Sequence, residues 1–141
     1  MNIMEVKFSA KSENESLARV IVASFAAKLD PTIDELSDIK TAVSEAVTNA
    51  IIHGYEEDET KFVHMRCELI ENTIKVVVED YGKGIEDIEE AKQPMFTSKP
   101  ELERSGMGFS FMVSFMDDMQ VASIVGEGTK VIMTKTIEVP K

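Results

Sequence analysis

Two runs of alternating side chains, residues 62–70 and 74–79, stand three positions apart, and this pair constrains the fold more than any other feature. In the first run Val63, Met65, Cys67 and Leu69 fall on one side; in the second Ile74, Val76 and Val78 do. A period of two belongs to a strand, and a gap as short as Glu71-Asn72-Thr73 returns the chain antiparallel to itself, since a parallel return needs a crossover of a dozen residues or more. The chain is therefore built around a hairpin with one greasy face.

Before the hairpin the period is helical. Residues 4–10 alternate through Met4, Val6 and Phe8 and read as a first strand. Ser12 with Glu15 has the form of a capping box, ahead of Leu17, Val20, Ile21, Phe25 and Leu29 at helical spacing, and Asp30-Pro31 ends that helix. Thr32 with Glu35 repeats the signature and opens a longer helix carrying Ile33, Leu36, Ile39, Val43, Ala46, Val47, Ala50 and Ile51, with Gly54 as its stop. After the hairpin, residues 80–84 form a glycine loop, 85–92 a short acidic helix and 93–105 an irregular connection of the length of a lid. Residues 106–119 read as an apolar helix, and 120–125 and 129–139 as two last strands about the turn Gly126-Glu127-Gly128. The order predicts an α+β fold in two layers: a mostly antiparallel sheet, helices on one face, and one domain over residues 1–141.

Composition narrows the function. A net charge of −11 repels phosphate backbones, so no direct nucleic-acid partner is expected; the acidity either attracts a basic protein partner or serves solubility alone. No apolar run approaches the ~20 residues that span a bilayer, and residues 1–7 lack a basic-then-apolar leader, so a reducing cytoplasm and no membrane contact are expected. The single cysteine, Cys67, sits in a strand-like segment and reads as a buried, inert thiol.

The chemistry-bearing residues come in four groups. Glu45 and Asn49 lie four apart on the long helix, hence on one face, among Ala42, Val43, Ala46, Val47 and Ala50. A carboxamide oxygen suits Mg²⁺, and a neighbouring carboxylate could take a proton from an attacking hydroxyl. Both could equally sit at the core's edge with backbone or solvent partners, and His53, further along the face, has an ordinary capping or packing reading. In Asp80-Tyr81-Gly82-Lys83-Gly84, the aspartate could accept a hydrogen bond from an exocyclic amine, while Gly82 and Gly84 let a planar ligand approach; an acidic strand-end turn would look the same. Ser105-Gly106-Met107-Gly108 precedes a helix whose free amides could meet an anion, with Lys99 and Arg104 just upstream as positive charge. Gly128-Thr129 enters the last strand. No Walker A loop is present, and no glycine motif follows the first strand as a dinucleotide fold requires.

Taken in order and register, these groups resemble the GHKL nucleotide-binding fold of gyrase-type ATPases, histidine kinases and bacterial anti-sigma serine kinases. The resemblance runs over nearly the whole chain. It implies an ATP/ADP site with Mg²⁺ held by Asn49, and adenine read by Asp80 with Gly82, Gly84, Ile85 and Thr129 about it. It further implies phosphates wrapped by Ser105, Gly106, Met107 and Gly108, Glu45 as general base, and Arg104 and Lys99 offsetting charge. Phe109 and Ser110 depart from the smaller residues of many relatives.

The segment Ser44-Glu45-Ala46-Val47-Thr48-Asn49-Ala50-Ile51-Ile52-His53-Gly54-Tyr55 looks like that of the anti-sigma serine kinases, the sporulation group among them. This sequence holds neither the phospho-accepting helix of a histidine kinase nor the transducer domain of gyrase-type enzymes. The resemblance thus implies a free-standing protein serine kinase with two protein partners. One is a sigma factor held inactive; the other is an anti-anti-sigma protein phosphorylated on serine. It also implies a homodimer formed through the first strand and its surroundings. Arg19, basic on an otherwise apolar helix, is a candidate for the partner surface. An ATP-gated binding module without phosphotransfer and a histidine-kinase-like catalytic fragment remain the alternatives.

Overall fold

The computed structural model describes residues 1–86 and 109–138. Strand β1 (Asn2–Ser9) leads to helix α1 (Asn14–Ala26), a 3₁₀ turn (Ala27–Leu29) and helix α2 (Ile33–Asn49), which a π-helical turn (Ala50–Gly54) closes. Strands β2 (Phe62–Ile70) and β3 (Thr73–Asp80) form the expected hairpin; helix α3 (Phe109–Phe115) precedes β4 (Asp118–Ile124) and β5 (Gly128–Thr136). The five strands make one sheet in the order β1-β2-β3-β5-β4, every neighbouring pair antiparallel.

Alternation decides which face is covered. Val63, Met65, Cys67 and Leu69 of β2, Ile74, Val76 and Val78 of β3, and Val131 and Met133 of β5 are buried in one core. Against them lie Ala18, Val22 and Phe25 of α1, Ile39, Ala42, Val43, Ala46 and Val47 of α2, and Met112 of α3. The opposite face keeps its charges: Arg66 pairs with Glu5 and Glu68, Lys130 with Glu79, and Lys7 sits 4.7 Å above the Phe62 ring. Two layers, one wet sheet face and one helix-covered face, match the expected α+β architecture. Burial pushes the Cys67 thiol up to about 12, as an inert core cysteine requires.

Several local expectations change. At Thr32 the capping box forms as predicted: its hydroxyl accepts from the Glu35 amide, and Glu35 accepts from the Thr32 amide at 2.9 Å. At Ser12 it does not. The Glu15 carboxylate is buried, accepts from the Ser44 hydroxyl on α2 and pairs with Arg19 at 3.2 Å, so a tertiary partner has taken the capping group. Gly54 is no left-handed stop, for Glu56 and Glu57 take the positive φ values (51° and 64°) beyond the π turn. The last apolar helix ends at Phe115, and Met119, expected inside it, belongs to β4. Ile85 and Glu86 are not helical; the rest of the expected acidic helix and the lid-like connection lie outside the described residues, as do Lys99, Arg104, Ser105, Gly106, Met107 and Gly108.

Candidate functional site

One row across the covered face of the sheet breaks its apolar pattern. Val76–Met133–Met119 and Val78–Val131–Val121 are the rows below; the next is Asp80–Thr129–Ser123, joined across β3, β5 and β4. Asp80 is 3% exposed and Thr129 4%, so three polar side chains stand where the sheet otherwise buries hydrocarbon. Polar groups so placed must be paired. Asp80 Oδ1 accepts from the Gly82 amide at 2.9 Å, and the Thr129 amide also favours its charge. Desolvation outweighs both and raises the Asp80 carboxyl to about 6, with Glu79 adding like-charge repulsion. A carboxylate offers about four acceptor positions, so one holding two backbone amides keeps capacity for an amine.

Ser123 belongs to this polar row, and sequence reading missed it. Its oxygen accepts from the Ile85 amide at 2.8 Å and shares a hydrogen bond with the Thr129 hydroxyl at 2.8 Å. It thereby joins Ile85 to Thr129. The available signal was a serine at an inward position of an alternating strand, in phase with Met119 and Val121.

The glycines are demanded by close approach. A Cβ on Gly82 would stand 1.9 Å from the Gly54 carbonyl oxygen, and one on Gly128 2.1 Å from that of Asp80. Gly84 has φ +79°, and a Cβ there would meet the Ile124 carbonyl at 2.4 Å. A Cβ on Gly54 would lie 2.7 Å from the Asp80 carboxylate. The end of the long helix thus lies against the Asp80 side chain. The loop is also stitched on both sides, Lys83 N to Gly54 O at 3.0 Å and Gly126 N to Lys83 O at 2.7 Å.

That helix end carries the other pair. Glu45 and Asn49, both half-buried, stand one turn apart on α2, and the π turn begins at the residue after Asn49. Its wide bond, Tyr55 N to Ala50 O at 2.9 Å, swings the chain beneath Asp80. Asp80, Gly82, Gly84, Ile85 and Thr129 therefore come together, and Glu45 and Asn49 lie on the helix whose end abuts them. Arg19 is apart, on α1, tied to buried Glu15.

A buried carboxylate among closely packed glycines, abutted by the end of a helix bearing Glu-x-x-x-Asn, is the arrangement that the resemblance implies. Comparison with known proteins agrees. The model of the histidine kinase-like ATPase domain matches residues 8–135. An anti-sigma F factor of Clostridium perfringens is 62% identical over 134 residues, covering 95% of this chain and 96% of the relative. One from Anoxybacillus flavithermus is 58% identical, covering 95% and 92%. The chain belongs to the anti-sigma F factor family of histidine kinase-like ATPase domains. Nucleotide binding goes with that membership. Among solved structures, the RsbU and RsbW domains of a Mycobacterium tuberculosis protein superpose with a TM-score of 0.70 at 16% identity. This chain spans 97% of its own length there and 32% of that larger one. The catalytic domain of the histidine kinase ThkA superposes with a TM-score of 0.59 at 18% identity, covering 97% and 99%. Both likenesses bear on the fold, which is the one expected.

Proposed function

We propose that the chain is an ATP-dependent protein serine kinase that also holds a sporulation sigma factor inactive, and that its substrate is an anti-anti-sigma protein. One observation carries the reading: the helix bearing Glu45 and Asn49 ends, through its π turn, against the buried carboxylate of Asp80. The names of the relatives support the anti-sigma half of it.

In this reading Asp80 accepts the adenine amino group, with Gly82, Gly84, Ile85 and Thr129 shaping the pocket. Ser105, Gly106, Met107 and Gly108 wrap the phosphates, and Lys99 and Arg104 offset their charge. Asn49 contributes one oxygen to Mg²⁺. That donor suits a hard ion held chiefly by phosphate and water, and among the described residues no cluster of three His, Cys, Asp or Glu could hold a metal alone. Bound Mg²⁺ would neutralise charge developing on the phosphates. The serine oxygen forms its bond to the γ-phosphorus, the bond from that phosphorus to the β–γ bridging oxygen breaks, and ADP leaves with the electron pair. Glu45 takes the serine proton. One domain over residues 1–141 does this work. A homodimer through β1, an edge strand of the sheet, and a cytoplasmic setting complete the proposal.

The test is incubation with labelled ATP and Mg²⁺ beside candidate partner proteins, for the wild type and Glu45→Ala. Wild-type label on a partner serine, lost in the variant while ATP still binds, is the expected result. ATP binding with no transfer by the wild type points instead to a nucleotide-gated clamp. Acid-labile label on histidine points to a histidine-kinase-like fragment.

A further inference from the structure

Tyr55 takes no part in the roles above, yet it is the residue on which the glycine loop hangs. The residue is 8% exposed. Its hydroxyl donates to the Phe62 carbonyl at 2.7 Å and accepts from the Tyr81 amide at 2.8 Å. One phenol oxygen thus ties the first residue of β2 to the residue directly after Asp80. The preceding residue, Gly54, lies under the Asp80 carboxylate and accepts from the Lys83 amide. Two consecutive residues at the end of the Asn49 helix therefore grip the loop at three points: the Asp80 side chain, the Tyr81 amide and the Lys83 amide. A weak ion pair between Lys83 and Glu56, at 3.6 Å, lies alongside. Removal of the phenol oxygen would leave one part-buried N–H and one C=O without that partner.

We infer that Tyr55 is a positioning residue for base recognition: its hydroxyl holds the Asp80–Tyr81 peptide so that the carboxylate meets an adenine amino group, and it locks that contact to the helix carrying Asn49. The inference rests on the nucleotide site proposed above. Its consequence is selective. Adenine presents an amine to Asp80, whereas guanine presents a carbonyl there, so only the adenine nucleotide benefits from the clamp. A residue with a merely structural role would weaken both nucleotides alike.

The experiment is equilibrium binding of ATP and GTP, with Mg²⁺, to the full chain as wild type, Tyr55→Phe, Asp80→Asn and the double variant. The wild type is expected to prefer ATP. Tyr55→Phe is expected to weaken ATP roughly tenfold and leave GTP unchanged, and to cost no further ATP affinity once Asp80 is Asn. Wild-type ATP preference with an unchanged ratio in Tyr55→Phe, or equal loss for both nucleotides, overturns the inference while leaving the site intact. A wild type that binds neither nucleotide overturns the site and the inference together. Should Tyr55→Phe fail to fold, amide exchange at Tyr81 in the unaltered chain reads the same clamp. Protection that rises with ATP and not with GTP supports it, and protection indifferent to ATP overturns it.

Discussion

Replacing Asp80 by Asn should remove a pH dependence that wild-type stability carries because of one buried carboxyl. Its acidity is displaced from an ordinary 3.8 to about 6, chiefly by desolvation. A raised carboxyl favours the protonated fold, so this contribution to stability is complete below pH 3.8 and is lost as pH rises through about 6. The displacement is a little over two pH units, and ~1.36 kcal/mol per unit makes the full penalty ~3 kcal/mol at pH 8. At pH 5 the unfolded carboxyl is mostly ionised and the folded one mostly protonated, so about half the penalty has developed. Between pH 5 and pH 8 the wild type should therefore lose ~1.4 kcal/mol relative to Asp80→Asn, which does not titrate. Urea unfolding of both proteins at the two pH values measures it, and taking the difference cancels other groups such as Glu35, whose cap contacts hold its carboxyl below the usual range. The same substitution should abolish high-affinity ATP binding, so the residue that weakens the empty protein is the one nucleotide needs. A stability difference independent of pH, or one favouring the wild type at pH 8 over pH 5, would refute the reasoning.

Two further outcomes follow from the same contacts. Gly82→Ala places a methyl 1.9 Å from the Gly54 carbonyl, so the loop must lift away; a cost of ~1–3 kcal/mol in thermal unfolding and a fall of roughly tenfold or more in ATP affinity are expected, and undiminished binding by calorimetry would contradict the close packing. Arg19→Gln keeps the stem beside buried Glu15 but removes the charge; partner affinity should drop in a pull-down titration while ATP affinity holds, and unchanged partner binding would remove Arg19 from that surface.

How far the sequence could be read depended on how local each cause was. Thr32 and Glu35 cap α2 because the two residues satisfy one another within a single turn. Ser12 and Glu15 carry the same signature and fail, because Ser44 arrives from 29 positions away and takes the carboxylate. The hairpin was legible from alternation alone. The end of α3 was not: Met112, Met116 and Met119 are all apolar, and nothing in their spacing shows where a helical period of three or four yields to a strand. Asp80, Gly82, Gly84 and Thr129 stood out by their register with Asn49. Ser123, Tyr55 and the contact of Gly54 with Asp80 did not, since each gains its meaning from a segment distant in the chain.

The strand order has a consequence for how the protein assembles. Strands β2 and β3 close over a two-residue turn, and β4 and β5 over a three-residue one, so each hairpin can form early. The seam between them, β3 against β5, joins residues from 49 positions apart (Asp80 and Thr129) to 63 apart (Thr73 and Thr136). Loop closure over that span delays the seam, as it does β1 against β2, whose first and last partners lie 53 (Ser9 and Phe62) and 67 (Asn2 and Leu69) positions apart, so both pairings follow the hairpins. Asp80 and Thr129 are the pair at its end. In the proposed reading a nucleotide therefore has nowhere to dock until β3 has met β5, and its binding free energy falls wholly on the sheet with that seam closed. Ligand recognition and a late step of folding share one row of the sheet.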